Sequence, residues 1–268
     1  MTNPSVSFES LQFGHTKKPL FEPLTMRCEP GSVCAVLGGN GRGKSTLLAT
    51  VTGVLRPVSG RVTVSGGAAL VPQSFRPAFG WSVREVVLMG RARSIGLFSQ
   101  PSPENEKRCE KALGMLGIAG LAGRDFSRLS GGQQQLALIA RALVSESRSI
   151  LLDEPCSALD LSNQQVVLRL IVRLAQEEGR TVIFTTHDPT HALEAADTTL
   201  LLYPGGKWTA GPSDAVLTEE NLGRAYGIAV RRIPREGNVP VLAPEFSLGR
   251  RAAGSPTQAG AGVLPRPE

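Results

Sequence analysis

Five consecutive apolar residues, Val33, Cys34, Ala35, Val36 and Leu37, run into a glycine-rich turn. Such an unbroken run reads as a strand buried on both faces of a parallel sheet. Leu47, Leu48, Val51 and Val54 then recur at three- and four-residue steps, which predicts a helix from Gly43 that stops before Pro57. Short alternating stretches at 60–64 and 68–71 predict antiparallel strands forming an edge β-subdomain.

From 74 to 128 the texture becomes helical. Ser82 with Glu85 forms a capping-box pattern, and Ser102-Pro103-Glu104 places a cap and an N1 proline before a second helix. This stretch reads as a helical insertion. Beyond it come a helix at 132–145, a buried strand at 149–153 and an amphipathic helix at 164–178, with Val167, Leu170, Ile171 and Leu174 on one face. A strand at 181–185, a helix opened by Asp188-Pro189 and a strand at 199–203 ending at the Pro204-Gly205-Gly206-Lys207 turn complete the alternation. The predicted architecture is one α/β domain over 1–233, with a mostly parallel sheet, an antiparallel β edge and the helical insertion. From Pro234 the chain loses periodicity and collects Pro, Gly, Ala and Arg, so 234–268 is expected to be a disordered tail.

Chain length and composition agree with one large core: 268 residues, 41% of them hydrophobic. The longest apolar runs fall far short of the roughly 18–20 residues that span a bilayer. Residues 1–10 show no basic stretch followed by an apolar one, so a cytosolic location is expected. Four scattered cysteines without a CxxC pair argue against a zinc ribbon or disulfide framework. A formal charge of +6 raises the question of nucleic acid or an anionic membrane. From Val230 onward six arginines face three glutamates, so half of that excess lies near the C-terminus and argues little for a nucleic-acid face.

The chemistry is concentrated in a few segments. Gly38 to Ser45 fits G-x-x-x-x-G-K-[ST]: Gly38, Asn40, Gly41 and Gly43 shape a backbone cradle for nucleotide phosphates at a helix N-terminus, where Thr46 adds a further contact. Lys44 supplies a charge to the β and γ phosphates of ATP, and Ser45 a hydroxyl to Mg²⁺. Asp153, at the end of an apolar strand, is placed to hold Mg²⁺, and Glu154 to polarise an attacking water. His187 follows a strand end and is assigned to the γ-phosphate. Gln73, where the edge strand joins the helical insertion, is assigned to Mg²⁺ or the water.

Leu129-Ser130-Gly131-Gly132-Gln133 discriminates among enzymes with such a cradle. With it, the chain resembles the ATP-binding cassette (ABC) subunits of ABC transporters over about residues 6–226. The resemblance covers Walker A at 38–46, the Q-loop at Gln73, the signature at 129–133, Walker B at 150–154, a D-loop at 157–160 and the switch His187. It implies the P-loop NTPase α/β fold and a head-to-tail homodimer in which Ser130, Gly131, Gly132 and Gln133 of one copy cover ATP bound by the other. It also implies a membrane permease partner, an indirect link to a periplasmic or surface substrate-binding protein, and a peripheral place on the cytoplasmic face of the inner membrane. The family stacks an aromatic ring on adenine; here His15 is the favoured ring and Phe13 the rival. Cys156 stands where Thr is common. Residues 135–143, 158–164 and 185–189 look like importers of metal chelates and oxyanions, the siderophore, haem, cobalamin and molybdate or tungstate group, and residues 71–75 and 86–91 look most like its molybdate and tungstate branch. The alternative is a soluble cassette ATPase acting on nucleic acid or ribosomes. The absence of a second cassette and of heptads counts against it.

Overall fold

The computed structural model describes residues 3–75, 77, 79–92, 100–236 and 238–246. Eleven strands and eight α-helices follow one another among them. They are β1 (Val6–Gln12), β2 (Leu24–Cys28), β3 (Val33–Leu37), α1 (Lys44–Val51), β4 (Ser59–Val64), β5 (Ala68–Val71), α2 (Val83–Leu88), α3 (Pro103–Met115), α4 (Gly131–Leu143) and β6 (Ser149–Leu152). Then come α5 (Leu161–Gln176), β7 (Thr181–Thr186), α6 (Pro189–Ala195), β8 (Thr198–Leu202), β9 (Trp208–Pro212), α7 (Ser213–Val216), α8 (Glu219–Tyr226), β10 (Ala229–Arg235) and β11 (Asn238–Glu245).

The central sheet runs β5-β6-β7-β3-β8-β9. Its first five strands are parallel, and β9 closes the edge antiparallel to β8. Every residue of β3, β6 and β7 is buried, as the unbroken apolar runs require. A second sheet, β2-β1-β4, is antiparallel and supplies the expected edge subdomain. α2 and α3 pack with α4 as the helical insertion, and the capping pattern is realised: Ser82 Oγ accepts from Glu85 N while Glu85 accepts from Ser82 N.

Three expectations change. The stretch 68–71 pairs in parallel with β6, in register Val71↔Leu152, and belongs to the main sheet. Period-two alternation reports a pleated surface and carries no strand direction. The first helix ends at Val51, with Thr52 as its cap, and Val54 is exposed. The chain from Pro234 is not structureless through 246. β10 and β11 form an antiparallel hairpin that packs on α8 and α6, with Val230 and Leu242 buried in the main core. Pro234, Pro240 and Pro244 break the apparent periodicity, yet each strand of a two-stranded ribbon has an open side where a missing N–H is tolerated. The rest of the expected tail, 247–268, and residues 93–99 of the insertion lie outside the described residues.

No described helix is long and apolar enough to cross a membrane.

Candidate active site

Strand register brings the chemical segments together. Leu37 pairs with Thr186, Leu152 with Phe184 and Val71 with Leu152, so β3, β5, β6 and β7 end along one edge of the sheet. Gly38, Gln73, Asp153 and His187 leave the sheet at that edge. Ligands in open parallel sheets bind beyond the carboxyl ends of the strands, where the strand order reverses. Here β3 lies between β7 and β8, its connection leaving toward the far edge and the chain returning to its other side.

The loop after β3 forms an anion cradle. Gly41 (φ 73°) and Gly43 (φ 78°) are left-handed, a backbone conformation that strains any residue with a Cβ. Gly43 is also the N-cap of α1 and provides no side-chain cap. By contrast α2, α3, α4, α5, α6 and α8 are each capped by a Ser, Asp or Thr oxygen. The first-turn N–H groups of α1 are therefore left for an external acceptor such as phosphate.

Lys44 is buried, and its ammonium donates to Gly38 O at 2.9 Å and Gly39 O at 3.3 Å while pairing with Glu154 Oε1 at 3.0 Å. All three of its protons have acceptors. The other carboxylate oxygen, Glu154 Oε2, lies 2.7 Å from His187 Nδ1. Glu154 thus links the phosphate-loop lysine to the half-exposed imidazole. Its backbone is left-handed (φ 50°), costly for a residue with a Cβ, and is held there by Glu154 N donating to Thr185 Oγ1 at 2.8 Å. The same hydroxyl donates to Asp153 Oδ1 at 2.7 Å. One threonine at the end of a buried strand therefore orients the Asp153 carboxylate and fixes the Glu154 main chain. Sequence reasoning gave Thr185 no role, because a Thr in an apolar strand looks like ordinary β-branched packing.

Ser45 is exposed on the first turn of α1, and Thr46 is buried beside it. Thr46 Oγ1 lies 3.1 Å from His15 Nε2, so exposed His15 stands next to the cradle. Phe13 is fully buried and its ring stacks on Phe21 at 5.6 Å, which removes it as a free adenine platform. Gln73 is exposed just beyond β5. For Mg²⁺ the donor set at this edge consists of hard oxygens: the Ser45 hydroxyl, the second oxygen of Asp153 and the Gln73 amide. No group of three or more His, Cys, Asp or Glu that could hold a metal occurs among the described residues. That combination fits Mg²⁺, which is usually held by one or two carboxylates together with substrate phosphates and water.

Ser130 is exposed at the N-cap of α4; its Oγ accepts from Gln133 N, and Gln133 Oε1 accepts from Ser130 N, both at 3.3 Å. Gly131 is exposed too, and a Cβ at Gly132 would press on Ala158 O at 3.1 Å. No hydrogen bond or ion pair among the described residues joins 129–133 to the cradle of the same chain. Next to Glu154, the Cys156 thiol is pushed up to about 12 by burial first and then by the charges of Asp188 and Glu154.

The sequence matches the ABC transporter family over residues 21–157, half of the chain. The chain belongs to that family. It is one of the ABC ATPase domains. It is 45% identical over 221 residues to the molybdate import ATP-binding protein MolC of Haemophilus influenzae, covering 82% of this chain and 87% of that protein. It is 36% identical over 247 residues to the hemin import ATP-binding protein HmuV of Bordetella avium, covering 84% and 93% respectively. Among solved structures, an inward-facing metal-chelate type ABC transporter superposes with a TM-score of 0.85 at 39% identity, covering 92% of this ABC ATPase and all of that chain.

Proposed function

We propose that this ABC ATPase is the ATP-hydrolysing subunit of an importer whose cargo is molybdate or a related metal oxyanion, within the wider metal-chelate group. The observation that carries the hydrolytic reading is Glu154, poised between Lys44 Nζ and His187 Nδ1 at the mouth of the phosphate cradle. ATP phosphates entering the cradle exchange with Gly38 O, Gly39 O and Glu154 as partners of Lys44. Glu154, released from the lysine, accepts the proton of a water lined up on the γ-phosphate, and His187 contacts the same phosphate and keeps the carboxylate in place. Ser45, Asp153 and Gln73 would hold Mg²⁺, which when bound neutralises charge on the β and γ phosphates. His15 would stack on adenine.

Two copies pair head to tail, each placing Ser130, Gly131, Gly132 and Gln133 over the ATP of the other. Support comes from the exposed N-terminus of α4, which among the described residues has no hydrogen bond or ion pair to its own cradle. A permease partner in the membrane, fed by a substrate-binding protein, would dock beside the helical insertion, where Phe79 is 74% exposed shortly after Gln73. The ATPase then sits peripherally on the cytoplasmic side of the membrane. The molybdate assignment rests on the 45% identity to MolC.

Uptake by the parent organism tests it. Deleting the coding region should abolish uptake of tracer-level labelled molybdate and leave haem uptake intact, and the wild-type chain but not Glu154→Gln should restore it. Molybdate uptake that survives deletion would contradict the cargo; rescue by Glu154→Gln would contradict the hydrolytic role.

A further inference from the structure

His187 meets Glu154 through Nδ1 alone, with 54% of its side chain exposed. Burial cannot fix its ring, so its direction depends on how the main chain of 186–188 is held. On one side, Asp188 N donates to Thr186 Oγ1 at 3.0 Å, and the Asp188 side chain accepts from Thr190 N at 2.8 Å to cap α6. On the other side, the Tyr226 hydroxyl donates to the carbonyl oxygen of His187 itself, at 2.9 Å. Tyr226 closes α8, just before the left-handed cap Gly227, and its ring packs against the main core. The next element is the hairpin β10–β11, which grips α8 with one strand and α6 with the other.

We propose that Tyr226 is a positioning residue for ATP hydrolysis: its hydroxyl fixes the His187 main chain so that Nδ1 meets Glu154, and it ties turnover to the C-terminal helix and hairpin. Tyr226 touches neither substrate nor the reacting atoms. Its effect passes through one carbonyl. Burial, then Asp188 and Glu154, raise the phenol pKa, so the hydroxyl keeps its proton and remains a donor throughout the working pH range. A loosened carbonyl lets the imidazole swing off Glu154, which lowers the rate of the chemical step while leaving the phosphate cradle intact.

The inference rests on the catalytic reading of His187, so its test includes a variant that probes that reading separately. Tyr226→Phe removes only the hydroxyl and keeps the packed ring. Tyr203→Phe is the matched control, because the Tyr203 hydroxyl donates to Asn221 Oδ1 at 3.0 Å on the same helix but makes no bond to the switch loop. With the full-length chain, Tyr226→Phe should lower kcat about three- to tenfold, the rate equivalent of one neutral hydrogen bond, with KM and nucleotide Kd unchanged. Tyr203→Phe should leave kcat unchanged. The chain has three histidines, so their ring resonances can be followed individually by NMR; in Tyr226→Phe those of His187 should shift and broaden while those of His15 do not.

Wild-type kcat in Tyr226→Phe, together with a large loss in His187→Ala, overturns the inference and leaves the role of His187 standing. Equal losses in Tyr226→Phe and Tyr203→Phe overturn it as well, since they would reflect general loosening of α8. Wild-type kcat in His187→Ala overturns the histidine's role and the inference with it.

Discussion

Thr185 donates its hydroxyl to Asp153 Oδ1 at 2.7 Å and accepts the backbone N–H of Glu154 at 2.8 Å. Both carboxylates are buried, and an oriented buried acceptor that loses its donor costs about 1–3 kcal/mol. Thr185→Val should therefore lower stability by about that amount and cut kcat at least tenfold, with a higher Mg²⁺ requirement as Asp153 turns away. Thr185→Ser keeps the hydroxyl and should retain most of the activity. Thermal melts and Mg²⁺ titrations of turnover check both, and equal behaviour of Val and Ser would remove the hydroxyl's role.

Glu154→Gln keeps the shape of the side chain and abolishes its basicity. ATP binding should persist while hydrolysis falls by about 10²-fold or more, given the 10²–10⁴-fold contribution typical of a general base. Lys44→Ala removes the charge aimed at the phosphates and should abolish both nucleotide binding and turnover. Filter binding of labelled ATP, alongside phosphate release, separates the two variants; intact turnover in either one contradicts its assigned role.

Truncations at the C-terminus should divide sharply at the hairpin. A chain ending at Phe246 keeps β11 and should melt and hydrolyse ATP like the full length. One ending at Glu236 loses Leu242 and uncovers Val230, both buried against the core, and should lose about 2–5 kcal/mol per large apolar side chain unpacked. Equal melting of the two truncations would mean the hairpin contributes nothing.

Two buried thiols make stability fall at high pH. Burial pushes Cys109 up to about 11 and Cys156 up to about 12, against 9.0 for a free thiol. Below pH 9 both stay protonated folded or unfolded, so their contribution is fully present. Between 9 and 12 the unfolded chain ionises first, and stability is lost with rising pH. Melting midpoints from pH 8 to 11 should decline, less steeply in Cys156→Ala than in wild type. At pH 8 the Cys156 thiol should react with alkylating reagents far more slowly than a free cysteine.

Much of this site was legible in the residues. The cradle could be read because a lysine and glycines at fixed spacing after an apolar strand have few other uses, and Asp153, Glu154 and His187 because polar groups ending apolar strands must converge at one sheet edge. Phe13 illustrates a limit: its sequence neighbourhood allowed an adenine platform, yet stacking on Phe21 takes its ring into the core. Thr185 and Tyr226 escaped for a different reason. Their contacts are side-chain hydrogen bonds to groups 31 and 32 residues away for Thr185 and 39 for Tyr226, and local pattern holds no trace of such contacts. The hairpin was hidden by three prolines that are tolerated only because its strands lack second neighbours.

The central claim is a hydrolytic site shared between two copies, opened by Glu154 and closed by the partner's signature segment, and solution mass tests it most directly. Glu154→Gln with ATP and Mg²⁺ should elute with light-scattering mass twice that of the monomer, and Glu154→Gln combined with Ser130→Glu should remain monomeric. A Glu154→Gln chain that binds ATP yet stays monomeric at every protein concentration would contradict the shared site.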